Sequence, residues 1–141
     1  MIDSGAKSSG LILAIDDEPT FLEILREALE SFGYRVHVET DPSRAIAFYQ
    51  EAWTDVSMVL LDFLMPRIPG DEVFAELQRI NPDVRVVMLS GCRDSAIEPL
   101  REKGLRGWIR KPFIPPDLAQ IVRDTIRDSA APRVIDPVPR S

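Results

Sequence analysis

The chain has 141 residues, a length suited to one domain, and its 45% hydrophobic and 28% charged residues are ordinary for a globular protein. One cysteine excludes a disulfide framework or a multi-thiolate metal centre, and one histidine excludes a paired-histidine metal site. The 17 Lys+Arg against 23 Asp+Glu leave a net charge of −6, which argues against a nucleic-acid binder and suits a cation or a protein partner.

Residues 1–10 are small and polar, read as a flexible arm, and lack the basic-then-apolar pattern of a signal peptide. The first strand is predicted at Leu11–Ile15. After Pro19, the residues Phe21, Ile24, Leu25, Ala28, Leu29 and Phe32 recur at helical spacing, and Gly33 stops the helix. Arg35–Thr40 alternates and predicts a less buried strand carrying His37, read as a surface histidine. Asp41 caps and Pro42 opens a second helix with Ala45, Phe48, Tyr49 and Ala52 inward, and Trp53 packs at its end.

Val56–Leu61 is an apolar run that ends at Asp62, as in a strand buried on both faces. It is too short to cross a membrane, so a cytoplasmic location is expected. Gly70–Ile80 predicts a helix with Val73, Phe74, Leu77 and Ile80 inward, ended by Asn81-Pro82. A fourth strand is predicted at Val84–Leu89. Ser95 and Glu98 can form a capping box for a fourth helix, which Pro99 keeps short. Gly107–Ile109 predicts the fifth strand and Pro116–Asp128 the last helix. Pro132, Pro137 and Pro139 make 129–141 a Pro-rich tail or linker, leaving 11–128 as the domain.

Five strands, each followed by a helix, specify an α/β fold: a (βα)5 doubly wound parallel sheet of flavodoxin-like order 2-1-3-4-5. Ligands bind such sheets beyond the carboxyl ends of the strands, where the order reverses. Asp16, Asp17 and Glu18 follow the first strand, Asp62 the third, Ser90 and Gly91 the fourth, and Lys111-Pro112 the fifth. Strands one and three are neighbours in that order, so Asp16, Asp17 and Asp62 converge. Like charges so close call for a cation, and hard oxygen ligands without His or Cys point to Mg²⁺. A carboxylate can act as nucleophile and become an aspartyl phosphate. Lys111 would then offset charge on the transferred group, and the Ser90 hydroxyl could hydrogen-bond a phosphoryl oxygen. Each residue also has a plainer role open to it: Asp as a helix cap or loop solvator, Lys111 as a surface lysine, Ser90 as a turn residue, Glu18 as a first-turn dipole partner.

The set Ile15-Asp16-Asp17-Glu18, Asp62-Phe63-Leu64-Met65-Pro66, Ser90-Gly91 and Lys111-Pro112-Phe113 resembles the receiver domain of two-component response regulators and hybrid sensor kinases over Leu11 to Asp128. The resemblance implies that Asp62 accepts a phosphoryl group from a histidine kinase or phosphotransfer protein. It implies Mg²⁺ held by Asp17, Asp62 and the Leu64 backbone carbonyl, with Asp16 acting through water. It further implies Ser90 as the switch hydroxyl, Lys111 as the charge-balancing lysine and a cis Lys111–Pro112 bond. Trp108 stands where the family's switch aromatic is usually Tyr or Phe, and Leu105 where Ala is frequent. Leu64 and Cys92 occupy positions that bear on dephosphorylation, and neither is a base. The family's output face, formed by the fourth helix, fifth strand and fifth helix, is also a possible homodimer surface. The alternatives are a receiver-like docking module that never uses phosphate and a true hydrolase with an aspartyl nucleophile. The hydrolase would need a second acid where Leu64 stands, so steady turnover is not expected.

Overall fold

The computed structural model describes residues 10–91 and 98–127. Its strands are β1 (Leu11–Ile15), β2 (Arg35–Glu39), β3 (Val56–Asp62), β4 (Val86–Ser90) and β5 (Gly107–Arg110). Its helices are α1 (Pro19–Ser31), α2 (Pro42–Ala52), α3 (Gly70–Ile80), α4 (Glu98–Glu102) and α5 (Pro115–Arg127), with one 3₁₀ turn at Trp53–Asp55. All strand pairs are parallel and the order is β2-β1-β3-β4-β5, the doubly wound arrangement read from the five βα units.

Alternation along the central strands builds two cores. Leu13, Ile15, Val59 and Leu61 join Tyr49 of α2 and Phe74 and Leu77 of α3 on one face. Ile12, Ala14, Met58 and Leu60 join Leu22, Leu25 and Leu29 of α1 and Leu118, Ile121 and Val122 of α5 on the other. Both faces of the sheet are therefore covered, which is why these strands read as continuous apolar runs. The edge strand β2 has no fully buried residue, and its His37 stacks on Phe48 with ring centroids 3.9 Å apart.

The chain punctuation works as its chemistry requires. Gly33 adopts φ +94°, a left-handed conformation that L side chains rarely take, and its N–H reaches the Glu30 carbonyl at 2.9 Å. The Asp41 carboxylate accepts the Ser43 N–H at 2.9 Å and caps α2. Trp53 follows α2 as its C-cap residue and stays partly exposed.

Three local readings change. In α1 the buried residues are Leu22, Leu25 and Leu29, while Ile24 and Phe32 are 54% and 48% exposed. The helix turns the narrower i, i+3, i+7 stripe to the sheet, and Phe21 and Ala28 flank it half-buried. β4 starts at Val86 rather than Val84, because the Asn81 side chain and carbonyl accept the N–H groups of Asp83 and Val84 and prolong the turn. α5 starts at Pro115, whose missing N–H costs nothing in the first helical turn. Ser95, Cys92, residues 1–9 and residues 128–141 lie outside the described residues.

Candidate functional site

The register of the sheet builds the site. Ile15 pairs with Leu61, so the next residues, Asp16 and Asp62, leave neighbouring strands side by side. Asp62 in turn pairs with Leu89, which puts Ser90 one step beyond it on β4. The Lys111 N–H donates to the Ser90 carbonyl at 2.6 Å, which ties the end of β5 to the same rim. The residues singled out after strands one, three, four and five thus meet at one end of the sheet.

Asp16, Asp17 and Asp62 each offer a carboxylate oxygen within 4.8 Å of the others. Asp16 is 0% exposed and Asp62 4%, whereas Asp17 faces solvent. The Asp16 Oδ1 accepts the Glu18 N–H at 3.0 Å, which closes the turn between β1 and α1. Glu18 therefore contributes its backbone to this turn and stands at the N-cap of α1. The Asp16 Oδ2 takes the Lys111 Nζ at 2.7 Å, and the same ammonium lies 3.5 Å from the Asp62 Oδ1. The Leu64 N–H reaches that Asp62 oxygen at 3.4 Å. The Leu64 side chain is 58% exposed at the rim.

Lys111 supplies one positive charge against three carboxylates. Burial pushes the Asp62 carboxyl up from its ordinary 3.8 to about 6, and the Asp16 charge adds to that effect. Lys111 and the Leu64 amide pull in the opposite direction without cancelling it, and Asp17 pushes further up. Such a set of hard oxygen donors, carrying excess negative charge and open to water through Asp17, fits a divalent cation.

Ser90 is fully buried as the last residue of β4. Trp108 is 3% exposed and belongs to the same core cluster as Leu100 of α4 and Leu105. It pairs with Met88, two residues before Ser90. The Lys111–Pro112 bond is cis.

Sequence reading passed over two features. Gly70 opens α3 so close beneath the loop after β3 that a Cβ there would lie 2.7 Å from the Asp62 carbonyl oxygen and 2.7 Å from the Phe63 Cα. The Gly70 N–H also donates to the Phe63 carbonyl at 3.0 Å. A glycine at the start of a helix, with Pro66 and Pro69 just before it, was the available signal. The second feature is aromatic: the Lys111 Nζ lies 4.2 Å from the centroid of the Phe21 ring. In the sequence Phe21 reads only as one position of an apolar helix face.

Residues 12–123 match the family model of the response regulator receiver domain. A probable transcriptional regulator, ycf27, of Guillardia theta is 31% identical over 89% of this chain and 49% of that protein. Sensor kinase CckA of Brucella abortus is 29% identical over 84% of this chain and 13% of the kinase. The chain spans about half the length of the ycf27 regulator and a small part of the kinase. Among solved structures, a response regulator receiver domain protein from Clostridium thermocellum superposes with a TM-score of 0.78 at 29% identity, covering 84% of this chain and 94% of that one. With the sheet order, the acidic rim and the family match all in agreement, the chain belongs to the response regulator receiver domains, the signalling domains of two-component systems.

Proposed function

We propose that Asp62 is the phosphoacceptor of this receiver domain, loaded from the phosphohistidine of a histidine kinase or phosphotransfer protein. An Asp62 carboxylate oxygen bonds to phosphorus as the P–N bond to imidazole breaks. The nitrogen keeps the electron pair and is protonated from solvent, and Asp62 is left as a mixed anhydride. The observation that carries this reading is the meeting of three carboxylates within 4.8 Å, with the Lys111 ammonium between Asp16 and Asp62.

Asp17, Asp62 and the Leu64 carbonyl would hold Mg²⁺ directly, and Asp16 would hold it through water. Bound there, the ion supplies positive charge for the phosphoryl oxygens. Lys111 offsets charge from the other side, and the Ser90 hydroxyl donates to a phosphoryl oxygen. The output follows from Ser90 and Trp108, which carry the change to the face of α4, β5 and α5, where a protein target or a second copy docks. The chain modifies itself and is no multiple-turnover enzyme. The functional unit is 11–128, and its kinase partner places it in the cytoplasm. Among the described residues no helix is long and apolar enough to cross a membrane.

The test is phosphate incorporation by the full chain from acetyl phosphate with Mg²⁺, read by intact mass. Wild type gains one phosphoryl group, and Asp62→Asn gains none. Equal uptake by Asp62→Asn would refute the acceptor assignment. The exposed Leu64 at the rim favours a second reading, a docking module that never uses phosphate. That reading predicts no response to Mg²⁺ or beryllofluoride.

A further inference from the structure

Lys111 is held from three sides. Its Nζ lies 2.7 Å from the Asp16 Oδ2, 3.5 Å from the Asp62 Oδ1 and 4.2 Å from the centroid of the Phe21 ring. Phe21 stands in the first turn of α1, just beyond the loop that carries Asp16 and Asp17. Its ring meets Phe113 edge-on, with centroids 5.7 Å apart and planes at 75°. Phe113 sits two residues beyond Lys111, so the aromatic pair closes a bracket between α1 and the chain leaving β5. Both rings are half-buried and rest on the core cluster beneath α1 and α5.

A lysine ammonium on four rotatable bonds has many positions open to it. Two carboxylates fix its charge but not its third side, where water would otherwise compete. The negative face of an aromatic ring fills that side, attracts the ammonium and excludes water. An edge-on neighbour fixes the ring in turn. We infer that Phe21 is a positioning residue for phosphoryl transfer: its ring face seats the Lys111 ammonium where it balances the charge on the group transferred to Asp62. The inference rests on Asp62 being the phosphoacceptor. It assigns Phe21 a role that packing alone would not require, because leucine fills the same apolar position without an aromatic face.

The experiment uses the full chain with Mg²⁺ and acetyl phosphate, and follows the rate of phosphorylation against donor concentration. Phe21→Leu lowers the maximal rate about threefold to tenfold and leaves the half-saturating donor concentration unchanged, as loss of a cation–π contact of ordinary strength would give. Phe21→Tyr keeps the ring face and restores the rate. In a Lys111→Ala background, Phe21→Leu has no further effect, because the group it positions is gone. By NMR, the ε-methylene protons of Lys111 are ring-shifted upfield in wild type and in Phe21→Tyr, but not in Phe21→Leu.

A wild-type rate in Phe21→Leu would overturn the inference while leaving the phosphoacceptor reading intact. Equal losses in Phe21→Tyr and Phe21→Leu would overturn it in favour of packing. Should Phe21→Leu fail to fold, the wild-type spectrum decides, and an unshifted Lys111 methylene would overturn the seat itself. No phosphate uptake by wild type would remove both the inference and the reading beneath it.

Discussion

Asp62 shows most directly what gathering carboxylates at the rim costs in stability. Its carboxyl is raised from 3.8 to about 6 by burial and by Asp16, so the folded state holds the proton more tightly than the unfolded chain does. The stability from that proton is fully present below about pH 4 and is lost as pH rises through about 6. Asp62→Asn carries no charge at any pH. Without Mg²⁺ it should therefore be more stable than wild type by roughly 1–3 kcal/mol at pH 8, and the gain should shrink to little at pH 4. Urea unfolding at the two pH values checks this, and a gain that does not depend on pH would contradict the electrostatic origin. Lys111 has the opposite sign. Its removal leaves the fully buried Asp16 without its ammonium, and Lys111→Met should cost about 3–5 kcal/mol in the absence of a divalent ion. Millimolar Mg²⁺ should raise the melting temperature of Lys111→Met by more than it raises that of wild type, since the ion then meets carboxylates with no competing cation. Equal shifts in the two proteins would mean that the ammonium and the metal do not share these carboxylates.

Elements position these residues, and α3 shows how closely. Gly→Ala in a helix ordinarily stabilises by up to about 1 kcal/mol. At Gly70 the new methyl would meet the Asp62 carbonyl and the Phe63 Cα at 2.7 Å, and neither backbone atom can yield without moving the loop after β3. Gly70→Ala should therefore destabilise by about 1–3 kcal/mol and slow phosphate uptake, as denaturant melts and acetyl phosphate kinetics would show. A more stable Gly70→Ala would mean that the loop gives way freely. This constraint also marks the limit of what the sequence discloses. Asp16, Asp17, Asp62, Ser90 and Lys111 are legible because the sheet order can be inferred from five βα repeats, and each residue lies at the carboxyl end of a strand or within two residues beyond it. The close approach at Gly70 depends on how α3 docks, which no local pattern encodes. Phe21 was hidden for a different reason: carbon rings at helical spacing look like core, and only the arrival of Lys111 from ninety residues away (roughly, along the chain) gives the ring an electrostatic partner. Ile24 and Phe32 show the converse error. They share a broad apolar stripe with Leu25 and Leu29, but the sheet has room for only the narrower part of it.

At the scale of the molecule, the acidic rim and the α4–β5–α5 face are joined through β4 and β5. Ser90 pairs with Arg110 at the rim, and Met88 pairs with Trp108 two residues below. The Ser90 carbonyl also accepts the Lys111 N–H at 2.6 Å. Under the proposed function, a phosphoryl group on Asp62 would pull on both Ser90 and Lys111 and so load two adjacent strand ends whose next inward-facing step includes a buried indole. The core cluster that holds Trp108 also holds Leu100, the buried residue among those described in α4. The described part of α4 is Glu98–Glu102 with Pro99, which lacks an amide hydrogen, within it, and such a segment is well suited to shift. Trp108 can report that shift if the exposed Trp53 is first removed. In Trp53→Phe, Mg²⁺ with beryllofluoride should change the emission of the remaining indole, and the same addition to Trp53→Phe/Asp62→Asn should not. Sedimentation of the two variants under the same conditions tests whether the altered face recruits a second copy. An emission change that survives loss of Asp62 would place its origin outside the acidic rim, and a silent indole in the singly substituted protein would separate Trp108 from switching.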